Sequence, residues 1–335
     1  MPAYEGPWVA VAGCGYWGKN LVRNFAQIGA LRWLCDTDDE ALESQARSYP
    51  GLRLTNRLEE VLDASDVQAV VLATPAAFHH AQARAALLKG KDIFVEKPLA
   101  LRYAQGRELV ELAGERSRVL MVGHILEYHP AVARLKEVVR QGELGQVWYI
   151  YSNRLNLGKV RQEENILWSF APHDISIITS LLGAEPDLVS ASGGSYLQSG
   201  IADVTVTNLL FAGGVRAHIF VSWLHPYKEQ RLVVIGDRQM AVFDDTLREG
   251  KLRICDKGIE WQAGRPVPRH AAETTLAVPE LEPMRLECEH FLECVRERKR
   301  PLTDGTNALR VLRVLEASQR SLEAGGAPVA LADVW

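Results

Sequence analysis

The stretch Val9-Ala-Val-Ala-Gly13-Cys-Gly15-Tyr-Trp-Gly18 decides the fold. A short apolar run leads straight into G-x-G-x-x-G, and a helical pattern (Leu21, Val22, Phe25, Ala26) follows. In that context the first glycine allows a tight strand-to-helix turn. The second lets backbone approach a pyrophosphate, and the third lets helix and strand pack closely. The helix start then offers free N–H groups and a positive dipole end to the phosphates.

The next apolar run, Leu31-Arg-Trp-Leu-Cys35, ends at Asp36. An acidic side chain about 20 residues beyond the glycines accepts hydrogen bonds from the adenosine ribose and repels a 2′-phosphate. The pattern therefore predicts NAD rather than NADP. Arg32 and Lys19 are basic, but neither follows Asp36 where a 2′-phosphate clamp is expected.

The order strand, helix, strand continues. Buried strands are predicted over 9–12, 31–35, 69–73, 93–95 and 119–122, with helices over 81–88 and 103–113 between them. Apolar strands without alternation imply a parallel sheet covered on both faces. Ligands bind at the carboxyl ends of such strands, so Gly13, Asp36, Thr74-Pro75, Glu96-Lys97-Pro98 and Gly123-His124 should gather around one crevice. Beyond residue 123 the pattern changes. A helix is predicted over 130–139 and a strand over 147–151. An antiparallel meander is expected over 204–211, 215–223, 232–235 and 240–243. Residues 263–283 read as a long connection, and helices follow over 287–296 and 308–322. The expected division is an NAD-binding Rossmann domain over 1–122 and a substrate and oligomerisation domain over 123–335. The last helix is a candidate to pack back on the first domain. The fold class is thus an α/β Rossmann domain plus an α+β domain with a predominantly antiparallel open sheet.

Bulk properties narrow the function. The 335 residues are 47% hydrophobic and carry a net charge of −4, which gives no sign of nucleic-acid binding. No apolar run reaches the roughly 20 residues that span a bilayer. The N-terminal residues lack a basic segment followed by an apolar one, so no signal peptide is expected. Cysteines 14, 35, 255, 288 and 294 are scattered and odd in number. That suits free thiols in the cytoplasm.

Two positions could carry chemistry. Lys97 follows the run Ile93-Phe-Val95, and Pro98 biases it to an extended backbone. A partly desolvated lysine can serve as acid or base. Spacing alone leaves a surface loop lysine as an equal reading. His173, in Leu167-Trp-Ser-Phe-Ala-Pro-His173-Asp174, is expected with Asp174 at the start of a helix opened by Pro172. An imidazole there could exchange a proton with a hydroxyl; a helix-capping pair is the alternative. Glu287, His290 and Cys294 share a potential helix face, but no further ligands accompany them, so no metal is expected.

Together these motifs resemble the Gfo/Idh/MocA oxidoreductase family across nearly the whole chain. The matching pieces are Gly13–Gly18, Thr74-Pro75 with His79, Glu96-Lys97-Pro98, Gly123-His-Ile-Leu-Glu-Tyr-His-Pro130, His173 and Pro301-Leu-Thr-Asp-Gly305. The resemblance implies that Lys97 and His173 flank the reacting carbon. It implies a cofactor site of Gly13, Gly15, Tyr16, Trp17, Gly18, Asp36, Thr74, Pro75, His79, Glu96 and Lys97. It implies a substrate site of Lys97, His124, Arg154, Asn156, Arg161, Ser169, His173 and Asp174. One departure stands out: the family pattern has Asp four residues before the histidine, and here that residue is Ser169.

That variant is similar to the branch acting on nucleotide-linked sugars, the WlbA-type 3-dehydrogenases. The expected reaction is NAD-dependent oxidation of the 3-hydroxyl of a UDP-linked 2-acetamido sugar acid, in the making of surface polysaccharide sugars. Such a substrate carries about three negative charges. Asn153-Arg154-Leu-Asn156-Leu-Gly-Lys159-Val-Arg161 supplies a cationic cluster for them. Some relatives keep their cofactor bound and re-oxidise it with a 2-oxo acid, so 2-oxoglutarate is a further partner to test. A homo-oligomer, a tetramer, is expected by the same resemblance. The alternatives are a dehydrogenase of a free aldose or inositol, or a non-catalytic dinucleotide-sensing protein; Lys97 and His173 argue against the latter.

Overall fold

The computed structural model describes residues 4–158, 160–162, 164–269 and 272–335. The chain up to Tyr128, with Leu281–Leu312, forms one compact unit; His129–Glu280 and Arg313–Trp335 form the other. The expected border at 122 therefore lies six residues later, and the first unit takes back a long C-terminal segment.

In the first unit, six strands form one parallel sheet: β1 (Val9–Ala12), β2 (Leu31–Cys35), β3 (Arg53–Thr55), β4 (Ala69–Leu72), β5 (Asp92–Val95) and β6 (Leu120–Val122). Their order is β3-β2-β1-β4-β5-β6. Strands β1, β4 and β5 are buried along their whole length, as unbroken apolar runs require. Helices α1 (Gly18–Ile28), α2 (Asp39–Ser48), α3 (Leu58–Asp63), α4 (Ala76–Leu88) and α5 (Tyr103–Glu115) alternate with them. Strand β3 was not expected. It is a half-exposed edge of three residues without an apolar run, and its pairing to β2 defines it.

The second unit opens with α6 (Pro130–Arg140), whose first turn is capped by His129 Nδ1 accepting from Ala131 N–H at 3.1 Å. Strand β7 (Val147–Leu155) follows, then α7 (Ile166–Leu182). Next come β8 (Leu188–Gly194), β9 (Val204–Leu210), β10 (Arg216–Ser222), β11 (Glu229–Gly236), β12 (Met240–Asp244) and β13 (Leu252–Cys255). The hairpin β14 (Gly258–Gln262) and β15 (Arg265–Arg269) precedes β16 (Glu273–Thr275).

The open sheet has the order β16-β13-β12-β11-β7-β10-β9-β8-β17, where β17 is Val329–Ala330. It is antiparallel apart from β7 with β10. The expected plain meander is thus corrected: β7 inserts between β10 and β11, so these consecutive strands are not neighbours. This central place also extends β7 four residues beyond the expected end, which puts Asn153 and Arg154 inside the sheet rather than in a loop. The expected long connection over 263–283 carries β15 and β16. Pro266 and Pro268 fit because β15 is half of an isolated two-stranded ribbon.

Helix α7 starts at Ile166, seven residues before His173. The Asn165 side chain caps it by accepting from Trp168 N–H at 3.3 Å. Pro172 therefore lies inside the helix, and His173 and Asp174 sit in its second and third turns rather than at its start. The helix ends at Gly183, which adopts the left-handed conformation (φ 61°) that glycine takes without strain.

The chain returns to the first unit in α8 (Pro283–Glu297) and the opening turns of α9 (Gly305–Glu323). Phe291 of α8 packs edge-on against Phe25 of α1 (6.4 Å) and Phe94 of β5 (5.7 Å). Met284, Cys288, Leu292 and Val295 join the same core. Residues 123–128 stay with this unit because Val122 N–H donates to Thr303 O at 2.9 Å and the Tyr128 hydroxyl meets Thr303 Oγ1 at 3.3 Å.

Candidate active site

The glycine turn is shaped by close contacts on two sides and left open on the third. Gly13 has φ +94°, and a Cβ there would lie 2.6 Å from the Ala73 backbone. A Cβ on Gly18 would strike the Gly13 carbonyl oxygen at 1.9 Å. At Gly15 a Cβ would meet nothing within 4 Å. The residues thus fit a pyrophosphate laid over Gly15 at the start of α1. Asp36 stands at the end of β2, where its Oδ2 accepts from Cys14 N–H at 2.5 Å and its Oδ1 from Asp38 N–H at 3.1 Å. Its carboxylate fixes the glycine turn from the end of β2.

Trp17 ties that turn to the end of β5. Its indole N–H donates to Glu96 Oε1 at 2.6 Å, and Lys97 N–H donates to Glu96 Oε2 at 3.2 Å. Glu96 is buried, and Gly123 lies flat against its carboxyl, with 3.0 Å left for a Cβ. Burial pushes Glu96 up to about 7, although the indole hydrogen bond and the Lys97 charge pull it down. Lys97 is half-buried and precedes a cis peptide bond to Pro98. His124 is buried in the same unit, and its Nδ1 has no partner among the described residues. Burial, with the Lys97 charge second, lowers it to about 3, so it is neutral at neutral pH.

His79 braces the strand ends. Its Nδ1 lies 2.7 Å from Pro98 O and its Nε2 2.8 Å from Thr74 O. The Thr74 hydroxyl meets Gln82 Oε1 at 2.6 Å, and Pro75 precedes α4. Tyr16 is exposed beside Lys19. Gly13, Gly15, Tyr16, Trp17, Gly18, Asp36, Thr74, Pro75, His79, Glu96, Lys97 and His124 all belong to the first unit, at or just beyond the carboxyl ends of β1, β2, β4, β5 and β6.

In the second unit, α7 carries Ser169, His173 and Asp174. Ser169 is buried one turn before the half-buried His173. Asp174 does not turn to the histidine's service. It takes the Arg154 fork, Nε to Oδ2 at 2.9 Å and Nη2 to Oδ1 at 3.0 Å, and the Ser152 hydroxyl at 2.7 Å. Burial works against the Arg154 charge, but the Asp174 charge and hydrogen bonds outweigh it and raise its pKa. Arg154, expected on an accessible cationic loop, is therefore a buried ion pair that locks α7 onto β7. Asn156 follows that strand, its N–H donating to Ser222 O at 3.0 Å. Arg161 keeps a partly exposed guanidinium 3.9 Å from Glu164. Lys159 lies outside the described residues.

The sequence reading places Glu287 only on a possible metal-binding helix face with His290 and Cys294, and it misses Asp203 altogether. Glu287 of α8 is wholly buried, and neither carboxyl oxygen has a partner among the described residues. Burial, and then the Glu96 charge, hold it well above the usual carboxylate range. Its place within the apolar face of α8 was the available signal. His290, on the same helix, meets Cys294 Sγ at 3.4 Å and accepts from Leu302 N–H at 3.1 Å. The partners of Asp203 lie too far apart in sequence to be read from spacing.

Comparison with known proteins agrees with this geometry. Residues 8–124 match the model of an oxidoreductase family with an NAD-binding Rossmann fold, and residues 132–242 match the GFO/IDH/MocA C-terminal domain. The UDP-N-acetylglucosamine 3-dehydrogenase of Acidithiobacillus ferrooxidans is 27% identical over 308 residues, 90% of this chain and 93% of that protein. The scyllo-inositol 2-dehydrogenase (NAD(+)) of Bacillus subtilis is 29% identical over 340 residues, 96% of this chain and 95% of that protein. A solved structure of the Acidithiobacillus enzyme superposes with TM-score 0.83 at 26% identity, covering 95% of this chain and 97% of that one. With both halves matched by models of a single family, and the first of them an NAD-binding Rossmann domain, the chain belongs to the GFO/IDH/MocA oxidoreductases.

Proposed function

We propose that the protein is an NAD-dependent dehydrogenase that converts the 3-hydroxyl of UDP-N-acetylglucosaminuronate, a UDP-linked 2-acetamido sugar acid, to the 3-keto sugar, for surface polysaccharide sugars. The observation that carries this reading is the similarity, across both units, to an enzyme named for 3-oxidation of a UDP-linked 2-acetamido sugar. Bound NAD supplies the acceptor for the hydrogen and electron pair leaving the alcohol carbon. Lys97 accepts the hydroxyl proton, and His173 holds and polarises the same oxygen. The Glu96 bond to the Lys97 backbone and to Trp17 keeps the lysine fixed relative to the glycine turn. Arg161 and Asn156 receive the charged end of the substrate. The protein works in the cytoplasm, which its five free cysteines favour, and as a homo-oligomer, in line with family practice.

Following NADH absorbance with UDP-N-acetylglucosaminuronate, with and without 2-oxoglutarate, tests the reading. Keto-sugar formation is expected, and turnover only with the oxo acid identifies a recycling cofactor. Lys97→Met should retain NAD binding and lose orders of magnitude in kcat. Normal turnover by that variant overturns the lysine's role. The inositol relative supports a second reading, oxidation of a free cyclic polyol. Preference for scyllo-inositol over the sugar nucleotide would establish it.

A further inference from the structure

The loop joining β8 to β9 has no part in the roles above, yet it is tightly built. Asp203, wholly buried, accepts Tyr196 N–H at 2.6 Å and Leu197 N–H at 2.9 Å on Oδ2, and the Trp223 indole N–H at 2.6 Å on Oδ1. Its own N–H donates to Gly194 O at 2.8 Å. Burial alone would raise the Asp203 pKa, but these donors bring it below its ordinary value. The Gln198 side chain donates to Arg161 O at 2.8 Å, and Ile166 N–H at the start of α7 donates to Ala202 O at 3.0 Å.

This scaffold presents one ring. Tyr196 lies against the Gly194 backbone so closely that a Cβ on Gly194 would come within 2.7 Å of ring atoms, yet Tyr196 is 73% exposed. An aromatic whose tip rests on backbone while most of the side chain stays exposed offers a surface for stacking, and its loop has already lost the freedom that binding would otherwise remove. Arg161, hydrogen-bonded to the same loop through its carbonyl, has a side chain 39% exposed. His173 lies seven residues along α7 from Ile166, roughly 10 Å by helix rise. The loop that carries Tyr196 is thus bonded to the segment of Arg161 and to the start of the helix that bears His173, so connected segments supply a ring, a cation and an imidazole, the three groups that a base, a diphosphate and a reacting sugar call for. A free monosaccharide or inositol has no base to lay on that ring.

We infer that Tyr196 and Arg161 form a nucleoside diphosphate subsite: the base stacks on Tyr196, and the Arg161 guanidinium takes the diphosphate. The inference rests on the sugar-nucleotide reading above and adds to it the residues that would recognise the nucleotide. Stacking accepts any base, so the platform anchors the nucleotide without choosing it.

The test is calorimetric binding of UDP to the NAD-loaded protein, with steady-state kinetics on UDP-N-acetylglucosaminuronate. Tyr196→Ala should weaken UDP binding about tenfold and raise KM similarly, with the loss falling on KM rather than kcat. Tyr196→Phe should restore both, because it keeps the ring. Arg161→Gln should weaken UDP binding and make it less sensitive to salt. Unchanged UDP affinity in Tyr196→Ala, while the wild-type protein turns over the sugar nucleotide, overturns the subsite and leaves the reaction standing. A wild-type protein that neither binds UDP nor oxidises the sugar nucleotide overturns the reaction itself. Loss of a defined oligomer in Tyr196→Ala, with UDP affinity kept, makes the ring a contact between copies and also overturns the subsite.

Discussion

At the scale of single residues, burial sets the behaviour of the carboxyl beside Lys97. Glu96 titrates near 7 in the fold against an ordinary 4.5. The folded chain therefore keeps this proton longer than the unfolded one. The stability it contributes is complete below about 4.5 and is lost as pH rises through 7. The raised value corresponds to roughly 3 kcal/mol. His124 acts in the opposite sense: lowered from 6.5 to about 3, it contributes stability above 6.5 that is lost as pH falls towards 3. Denaturant unfolding of Glu96→Gln should show a flatter fall in stability between pH 5 and 7.5 than the wild-type protein. Parallel curves would contradict the buried assignment. The Arg154–Asp174 pair gives a second case. Asp174→Asn leaves a buried guanidinium without its counter-charge and should cost about 3–5 kcal/mol, read as a lower denaturation midpoint. A change within error would mean that Arg154 finds water instead.

At the scale of elements, α8 is the piece that closes the Rossmann core from far along the chain. Phe291→Ala removes a side chain set between Phe25 and Phe94 and should lower stability by about 3–5 kcal/mol. Glu287 points the other way. Its two buried oxygens lack partners among the described residues, so Glu287→Met should stabilise the protein by about 1–3 kcal/mol. A loss of stability in that variant would reveal that the carboxyl is satisfied in solution. The apolar spacing of α8 was readable, but its destination was not, because helical periodicity identifies a buried face and not the surface that buries it. The same limit applies to α7. Pro172 reads as a helix opener, yet Asn165 caps the helix earlier and the burial of Ile166 and Leu167 carries it through the proline.

At the scale of the molecule, the open sheet of the second unit presents a face that its helices leave uncovered. Tyr149, Tyr151 and His218 cluster there, with the Tyr151 and His218 rings stacked at 5.6 Å. Residues alternating with them along β7, such as Ile150 and Ser152, are buried. Light scattering should report a homo-oligomer, and Tyr151→Arg should shift it to a smaller species by placing a charge in that cluster. A wild-type mass equal to one chain would count against this use of the face.

The sequence by itself determined the Rossmann unit, its cofactor and the order of its strands' chemistry. These follow from local rules: unbroken apolar runs, a glycine turn, and an acid at the end of the next strand. The same local character explains why β3, which has no apolar signal, went unread. Only the tertiary structure decided which charges are used up. Arg154 and Arg161 look alike in sequence, seven residues apart, but strand register buries one against Asp174 and leaves the other partly exposed near Glu164. It likewise decided that Asp203 braces a loop and that residues 281–312 complete the first unit. Such facts depend on contacts between segments distant in sequence, and those are set by sheet order and packing rather than by spacing along the chain.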